Sequence, residues 1–247
     1  MKMIVNADDY GITTAVNEAI ALSFKLGMID RTTAIANAPY FDDGCALAIA
    51  CGFATRVGVH FNLTRGPALS PMMADTPCFC NTEGMFIYRR NTRRFITRSE
   101  KEAVADECEH QIRRFYEAGL SPVHLDSHHH VHTEWSIFNA IEPVLRRNGI
   151  TSVRISKNIG PSTLMRMTYK SLFNLYLDFL RIRATRYFGE YTEILPSAQA
   201  FAPETLVEVM THPVFDSQGV IVDARSARPL EEGISVLRSS LPINRIQ

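Results

Sequence analysis

Short β-branched runs alternate with segments of helical periodicity along most of this chain, and that alternation is what most narrows the folds open to it. Residues 3–5 are β-like, and Thr14 caps a helix in which Val16, Ala19, Ile20 and Phe24 recur at helical spacing until Gly27. Residues 32–36 are strand-like, residues 40–51 are Ala-rich and helical, and residues 56–63 return to a β-branched run. Ser99 with Glu102 forms a capping-box pattern opening a helix to Ala118, closed by Gly119, and Pro122 leads into a strand over 123–126. A helix over 134–148 ends at Gly149 and is followed by a short strand over 151–155. Residues 206–210 form a later strand, and Pro229 opens a last helix. Such alternation builds a parallel sheet covered by helices, left open or closed into a ring. About seven units favour the ring: an α/β fold, (β/α)-barrel-like, with about seven parallel strands. Residues 64–98 and the helical, aromatic-rich residues 162–188 exceed the repeat and are expected as insertions over the barrel mouth. No internal repeat or Gly/Ser linker interrupts the chain, so one domain over 1–247 is expected.

Composition bounds the partners. Twenty-six basic residues balance twenty-six acidic ones, so no global field draws the chain to nucleic acid or an anionic bilayer. The five cysteines are odd in number and give no basis for a disulfide framework; Cys78 and Cys80 resemble half a zinc site, but no second pair follows at ribbon spacing. The first apolar run breaks at once into Asp8 and Asp9, leaving no signal-peptide core, and no stretch reaches the ~18 apolar residues of a membrane helix. A cytoplasmic location is expected.

In a parallel α/β sheet the chemistry gathers where strands end. Four such places carry reactive side chains. Asp8 and Asp9 follow the first strand; two adjacent carboxylates repel, and a divalent cation is the simplest compensation, although a solvated helix-capping turn would also use them. His60 ends the run 56–63, where a lone histidine is usually a bonded core residue. His124, His128, His129, His130 and His132 fall within nine residues, a density that packing does not require; strand alternation puts His124, Asp126 and His128 on one side, and His128 is best placed either way. His212 follows a strand and precedes Pro213, which biases it toward an extended conformation. An aspartate with two histidines from separate strand ends makes a metal face with open coordination positions, and the remaining acid is free to take a proton from bound water.

These segments, from Asn6-Ala7-Asp8-Asp9-Tyr10-Gly11 through Gly58-Val59-His60-Phe61-Asn62-Leu63 and His124-Leu125-Asp126-Ser127-His128-His129-His130-Val131-His132 to Glu208-Val209-Met210-Thr211-His212-Pro213, resemble the YdjC-like carbohydrate deacetylase family, in order and over nearly the whole chain. The resemblance implies a (β/α)-barrel-like fold and metal-dependent removal of an acetyl group from an N-acetylated sugar of chitooligosaccharide type. It places one divalent ion on Asp9, His60 and His128, makes Asp8 the base and, less directly, His212 the acid. Magnesium is the ion the family implies, whereas an Asp/His/His set suits zinc, iron, manganese or nickel better. Asp126, His132 and Trp135 are candidate sugar contacts. A glycolipid amino-sugar deacetylase and a sugar-binding module without turnover are the alternatives.

Residues 63–99 and 155–205 depart from that pattern and are expected to shape substrate choice. Arg89, Arg90, Arg93, Arg94 and Arg98 form a dense basic run whose ordinary use is a solvated or subunit-contacting loop. Leu164, Met167, Leu172, Phe173, Leu175, Tyr176, Phe179 and Leu180 make an apolar face, expected to pack on the barrel or else to join two copies as a homodimer.

Overall fold

The computed structural model describes residues 2–93, 95–197, 201–202 and 204–240. Seven strands, β1 (Lys2–Tyr10), β2 (Arg31–Ala34), β3 (Val57–Phe61), β4 (His124–Ser127), β5 (Ser152–Val153), β6 (Tyr187–Glu190) and β7 (Leu206–Thr211), pair in parallel in the spatial order β5-β4-β3-β2-β1-β7-β6. That order is the chain order read around a ring and cut between β5 and β6, the result of successive same-handed crossovers on a twisting sheet. At the cut, Arg183 makes a parallel bridge to Ser152; its carbonyl accepts from Val153 N–H at 3.0 Å and its own N–H donates to the Thr151 carbonyl at 3.0 Å. The expected (β/α)-barrel-like fold forms, with a seam where strand pairing is reduced to this bridge.

Helices α1 (Thr14–Lys25), α2 (Phe41–Ala50), α3 (Pro71–Ala74), α4 (Arg98–Glu117), α5 (Trp135–Arg147), α6 (Leu164–Phe179), α7 (Tyr191–Ser197) and α8 (Leu230–Ser240) occupy the connections and the end of the described chain. Thr13, rather than Thr14, caps α1, accepting from Val16 N–H at 3.1 Å. The capping box of α4 is Thr97 with Glu100. Two overlapping S/T-x-x-E frames exist there, and the helix uses the earlier one. Residues 187–188, expected as the end of a helical insertion, instead open the edge strand β6, and an antiparallel pair, β8 (Pro213–Phe215) and β9 (Ile221–Asp223), follows β7. Among the described residues no helix is long and apolar enough to cross a membrane, and all five cysteines are free thiols.

Each strand has two chemically different sides. Val5, Ala7, Val57, Val59, Phe61, Leu125, Val153, Val207 and Val209 join one apolar core with helix residues such as Ile20, Phe24, Ile112, Phe115, Ile141 and Val144. Burying each larger aliphatic or aromatic side chain there contributes about 1.5–3 kcal/mol before entropy is counted. The alternate positions, Asn6, Asp8, Thr33, His60, Asp126, Arg154 and Glu208, are buried and bond to one another across the ring. The apolar core therefore lies between sheet and helices, and the ring interior carries a polar network. Gly58 permits this closeness: a Cβ there would stand 3.0 Å from both the His124 carbonyl oxygen and the Thr33 methyl.

The segment 64–98 sits beside the ends of β3 and β4. Glu107 of α4 clamps it by accepting from the N–H groups of Leu69 and Ser70, at 2.9 and 2.7 Å, and Arg90 donates to Thr133 Oγ1 at 2.6 Å. Arg93 pairs with Glu100 and Arg98 with Glu102, so these arginines are engaged locally; Arg94 lies outside the described residues. In α6 only Phe173 and Leu177 are fully buried, while Leu164 and Phe179 are about four-fifths exposed. Barrel packing accounts for one side of that helix only.

Candidate metal centre and active site

A regular strand would send Asp8 and Asp9 to opposite faces. Here the β1–β2 register shifts between Ala7 and Tyr10, and Asp9 takes a left-handed φ of 71°. Asp is among the residue types that tolerate this region, at a cost of about 1–3 kcal/mol. The irregularity turns both carboxylates toward the same end of the ring. His129 and His130 are also left-handed, at φ 53° and 57°, in the turn His128–Thr133 that follows β4.

Asp9 Oδ1 lies 3.2 Å from His60 Nε2 and 2.9 Å from His128 Nδ1. One ligand atom from each of the three residues lies within 4.8 Å of the others. Atoms bound to one ion at roughly 2.1 Å stand about 3.0 Å apart at right angles and about 3.4 Å apart at the tetrahedral angle, so these spacings suit a shared cation. The other nitrogen of His60, Nδ1, meets Asp126 Oδ1 at 2.6 Å. Such carboxylate–histidine support is what would fix an imidazole with its Nε2 free to bind an ion. Burial opposes charge on His60, but Asp126, Asp9 and Asp8 outweigh it and raise its pKa to about 10. Burial likewise opposes ionisation of Asp9, yet hydrogen bonds from His128 and His60 hold its carboxyl well below the usual range.

Asp8 stands next to this group in a different setting. Arg154 grips it at both oxygens, Nη1 to Oδ2 and Nη2 to Oδ1, each at 2.7 Å, and Asn6 donates to Oδ1 at 2.8 Å. Burial raises the Asp8 pKa, but the guanidinium more than offsets it and keeps the carboxyl ionised far below its usual range. Arg154 itself is completely buried and also meets Asp126 Oδ2 at 2.7 Å and Glu208 Oε1 at 2.6 Å; Arg31 Nη2 reaches Glu208 Oε1 at 3.2 Å. Within this network four carboxylates, Asp8, Asp9, Asp126 and Glu208, face two guanidiniums. With His60 neutral, as a metal ligand must be, a divalent cation would balance the two remaining formal charges, a second reason that the donor set fits one.

A cavity of about 220 Å³ opens over these groups, lined by Asp8, Asp9, His60, Ser127, His128, His129, His130, Met210, His212 and Arg225. His212 is positioned through its backbone N–H, which donates to Asp223 Oδ2 at 2.8 Å; its buried Nδ1 has no hydrogen-bond partner and lies 3.9 Å from the same carboxylate oxygen. The structure thus gathers Asp8, Asp9, His60, His128 and His212, from three separate strand ends and one turn, around one hollow. It does not place the other three sequence candidates there. Asp126 is fully buried behind His60. His132, also buried, donates from Nε2 to the Arg154 carbonyl at 3.0 Å and meets Ser127 Oγ through Nδ1. Trp135 packs among Tyr169, Phe173 and Tyr176 of α6, with its ring 4.9 Å from that of Tyr176.

The sequence profile of the YdjC-like protein family matches residues 2–240. The chain belongs to the YdjC-like family. It is 38% identical over 151 residues to the carbohydrate deacetylase of Halalkalibacterium halodurans, a match covering 60% of this chain and 59% of that protein. With the chitooligosaccharide deacetylase of Klebsiella pneumoniae it shares 31% identity over 90% of this chain and 85% of that one. The fold is similar to a solved structure from Enterococcus faecalis V583, provisionally described as a cellobiose-phosphate cleavage protein, with TM-score 0.73, 21% identity, and coverage of 99% and 97%.

In this YdjC-like chain the sequence reading missed Arg154 and Asn6, which hold Asp8, and Glu208 and Arg31, which bond to those two. Arg154 had a legible signal: a charged residue inside the strand-like run 151–155, where a buried strand tolerates one only if it is paired. Glu208 sat in the same way within the strand 206–210. That Arg154 meets both Asp8 and Glu208 depends on the ring bringing β1, β5 and β7 together, which no local pattern encodes.

Proposed function

We propose that this protein is a metal-dependent N-deacetylase that hydrolyses the acetamide of an acetylated amino sugar to a free amine and acetate. The observation that carries this reading is the meeting of Asp9 with His60 Nε2 and His128 Nδ1 beside a separate carboxylate, Asp8, in one cavity. Asp9, His60 and His128 hold the ion, and two imidazoles in the set favour a transition metal over magnesium. When bound, such an ion polarises a carbonyl and acidifies water. Asp8, held ionised by Arg154, accepts the proton of the attacking water. Because Arg154 also makes Asp8 a weak base, its contribution is position and availability at neutral pH. His212 faces the same hollow and delivers a proton to the nitrogen, which cannot depart as a bare anion.

The cavity is smaller than the roughly 300–1,000 Å³ typical of sites that enclose a drug-sized ligand. It accommodates the reacting end of a substrate and leaves the rest of a sugar chain outside. The names of the relatives, carbohydrate deacetylase and chitooligosaccharide deacetylase, support the substrate class. Acetate release from N-acetylglucosamine oligomers of graded length, with chelator and then with restored metal, tests the reading. The expected result is release that chelation abolishes and a divalent ion restores; hydrolysis indifferent to chelation would refute the metal's role, and inertness toward every acetylated amino sugar would refute the activity.

A further inference from the structure

In the ring interior, three buried polar atoms lack hydrogen-bond partners: His124 Nε2, Glu208 Oε2 and Arg31 Nη2. They belong to one place. Ligand atoms of His124, Asp126 and Glu208 lie within 4.8 Å of one another, and Arg31 Nη2 is 3.2 Å from Glu208 Oε1, an ion pair outside hydrogen-bond geometry. Glu208 is 1% exposed and His124 3%. A buried polar group left unpaired is costly, and three together call for an occupant. A buried water satisfies about three otherwise unpaired groups in this way.

From these atoms we infer that a water molecule bound by His124, Glu208 and Arg31 is an integral part of the ring interior, and that Glu208, completed by this water, is a positioning residue for the Arg154–Asp8 pair. The inference rests on the deacetylase reading for its kinetic consequence only. His124 Nδ1 lies 2.9 Å from Ser152 Oγ; the arrangement proposed is the tautomer in which Nδ1 accepts the hydroxyl proton and Nε2–H donates to the water. Arg31 donates as well, and the water donates to Glu208 Oε2. Glu208 Oε1 then holds Arg154 Nε at 2.6 Å, while the other two guanidinium nitrogens grip Asp8. A second metal ion does not suit the place. Two guanidiniums border it, and both oxygens of Asp126 are committed, Oδ1 to His60 and Oδ2 to Thr33 and Arg154. Burial and the neighbouring cations hold the His124 pKa well below its usual value, so the ring is neutral and offers one donor and one acceptor nitrogen.

A high-resolution crystal structure of the wild-type protein tests the site without reference to activity. The expected result is a solvent peak about 2.7–3.2 Å from all three atoms; direct bonds among the three with no peak, or a peak with contacts near 2.1 Å that mark a metal, would overturn it. For the positioning role, Glu208→Gln and the ring-filling His124→Phe are each expected to lower kcat by roughly 10–100-fold with KM and bound metal unchanged. If either folds and retains wild-type kcat per metal-loaded site, losing only thermal stability, Glu208 and its water are merely structural. If the wild type releases no acetate, the proposed function falls, and the solvent peak still decides the site.

Discussion

At the level of single residues, two adjacent aspartates have different surroundings and so different expected phenotypes. Asp9 shares one oxygen between two imidazoles, whereas Asp8 is bound to a guanidinium. Asp8→Asn should keep its metal and lose about 10²–10⁴-fold in kcat, measured as acetate release per bound ion; near-normal turnover would remove Asp8 from the base role. Asp9→Asn should instead lose metal affinity in a direct titration. Arg154→Met should destabilise the fold by about 3–5 kcal/mol in urea unfolding, because it removes the buried guanidinium that Asp8, Asp126 and Glu208 share. The sequence made the four reactive places legible because aspartate and histidine were unusual for where they stood in the strand pattern. It was blind to which of them face water: Asp126 and His132 lie in the dense histidine segment and Trp135 just after it, yet all three turn into the interior or onto α6.

At the level of elements, the strands were legible wherever β-branched runs ended at turn residues, and β6 was not. Its sequence, Tyr-Phe-Gly-Glu, is short, lacks β-branched residues and follows an apolar helix, so only its pairing with β7 defines it. The irregularity in β1 was equally hidden, since Asp9 contains no local sign that its φ is positive. Gly58 supplies a test at this scale. A methyl group there must displace the His124 carbonyl or the Thr33 side chain, each at 3.0 Å, so Gly58→Ala should cost about 1–3 kcal/mol in urea unfolding and weaken metal binding, because β3 carries His60. Unchanged stability would mean that the ring is looser at this level than its geometry implies.

At the level of the whole molecule, an apolar layer between sheet and helices supports a polar ring interior, and acid should undo the interior first. Burial lowers the His132 pKa to about 3, whereas the unfolded value is near 6.5. Between those values the unfolded chain binds more protons, so stability should fall as pH drops from about 6.5 toward 3. His124 and His130, also depressed by burial, act in the same direction, and Asp8 and Asp9 add to the loss at the acid end. The urea midpoint followed against pH should show this slope, and His132→Gln should flatten it. A divalent ion at about a hundred times its Kd should stabilise the protein by about 2.7 kcal/mol. For a chain of this size that raises Tm by about 5–10 °C, a shift that chelator should reverse. The most direct test of the whole account is anomalous diffraction from crystals soaked in a divalent transition metal. One ion bound by Asp9 Oδ1, His60 Nε2 and His128 Nδ1, with Asp8 alongside on Arg154, is the expected result; an ion held elsewhere, or these three side chains left without one, would contradict it.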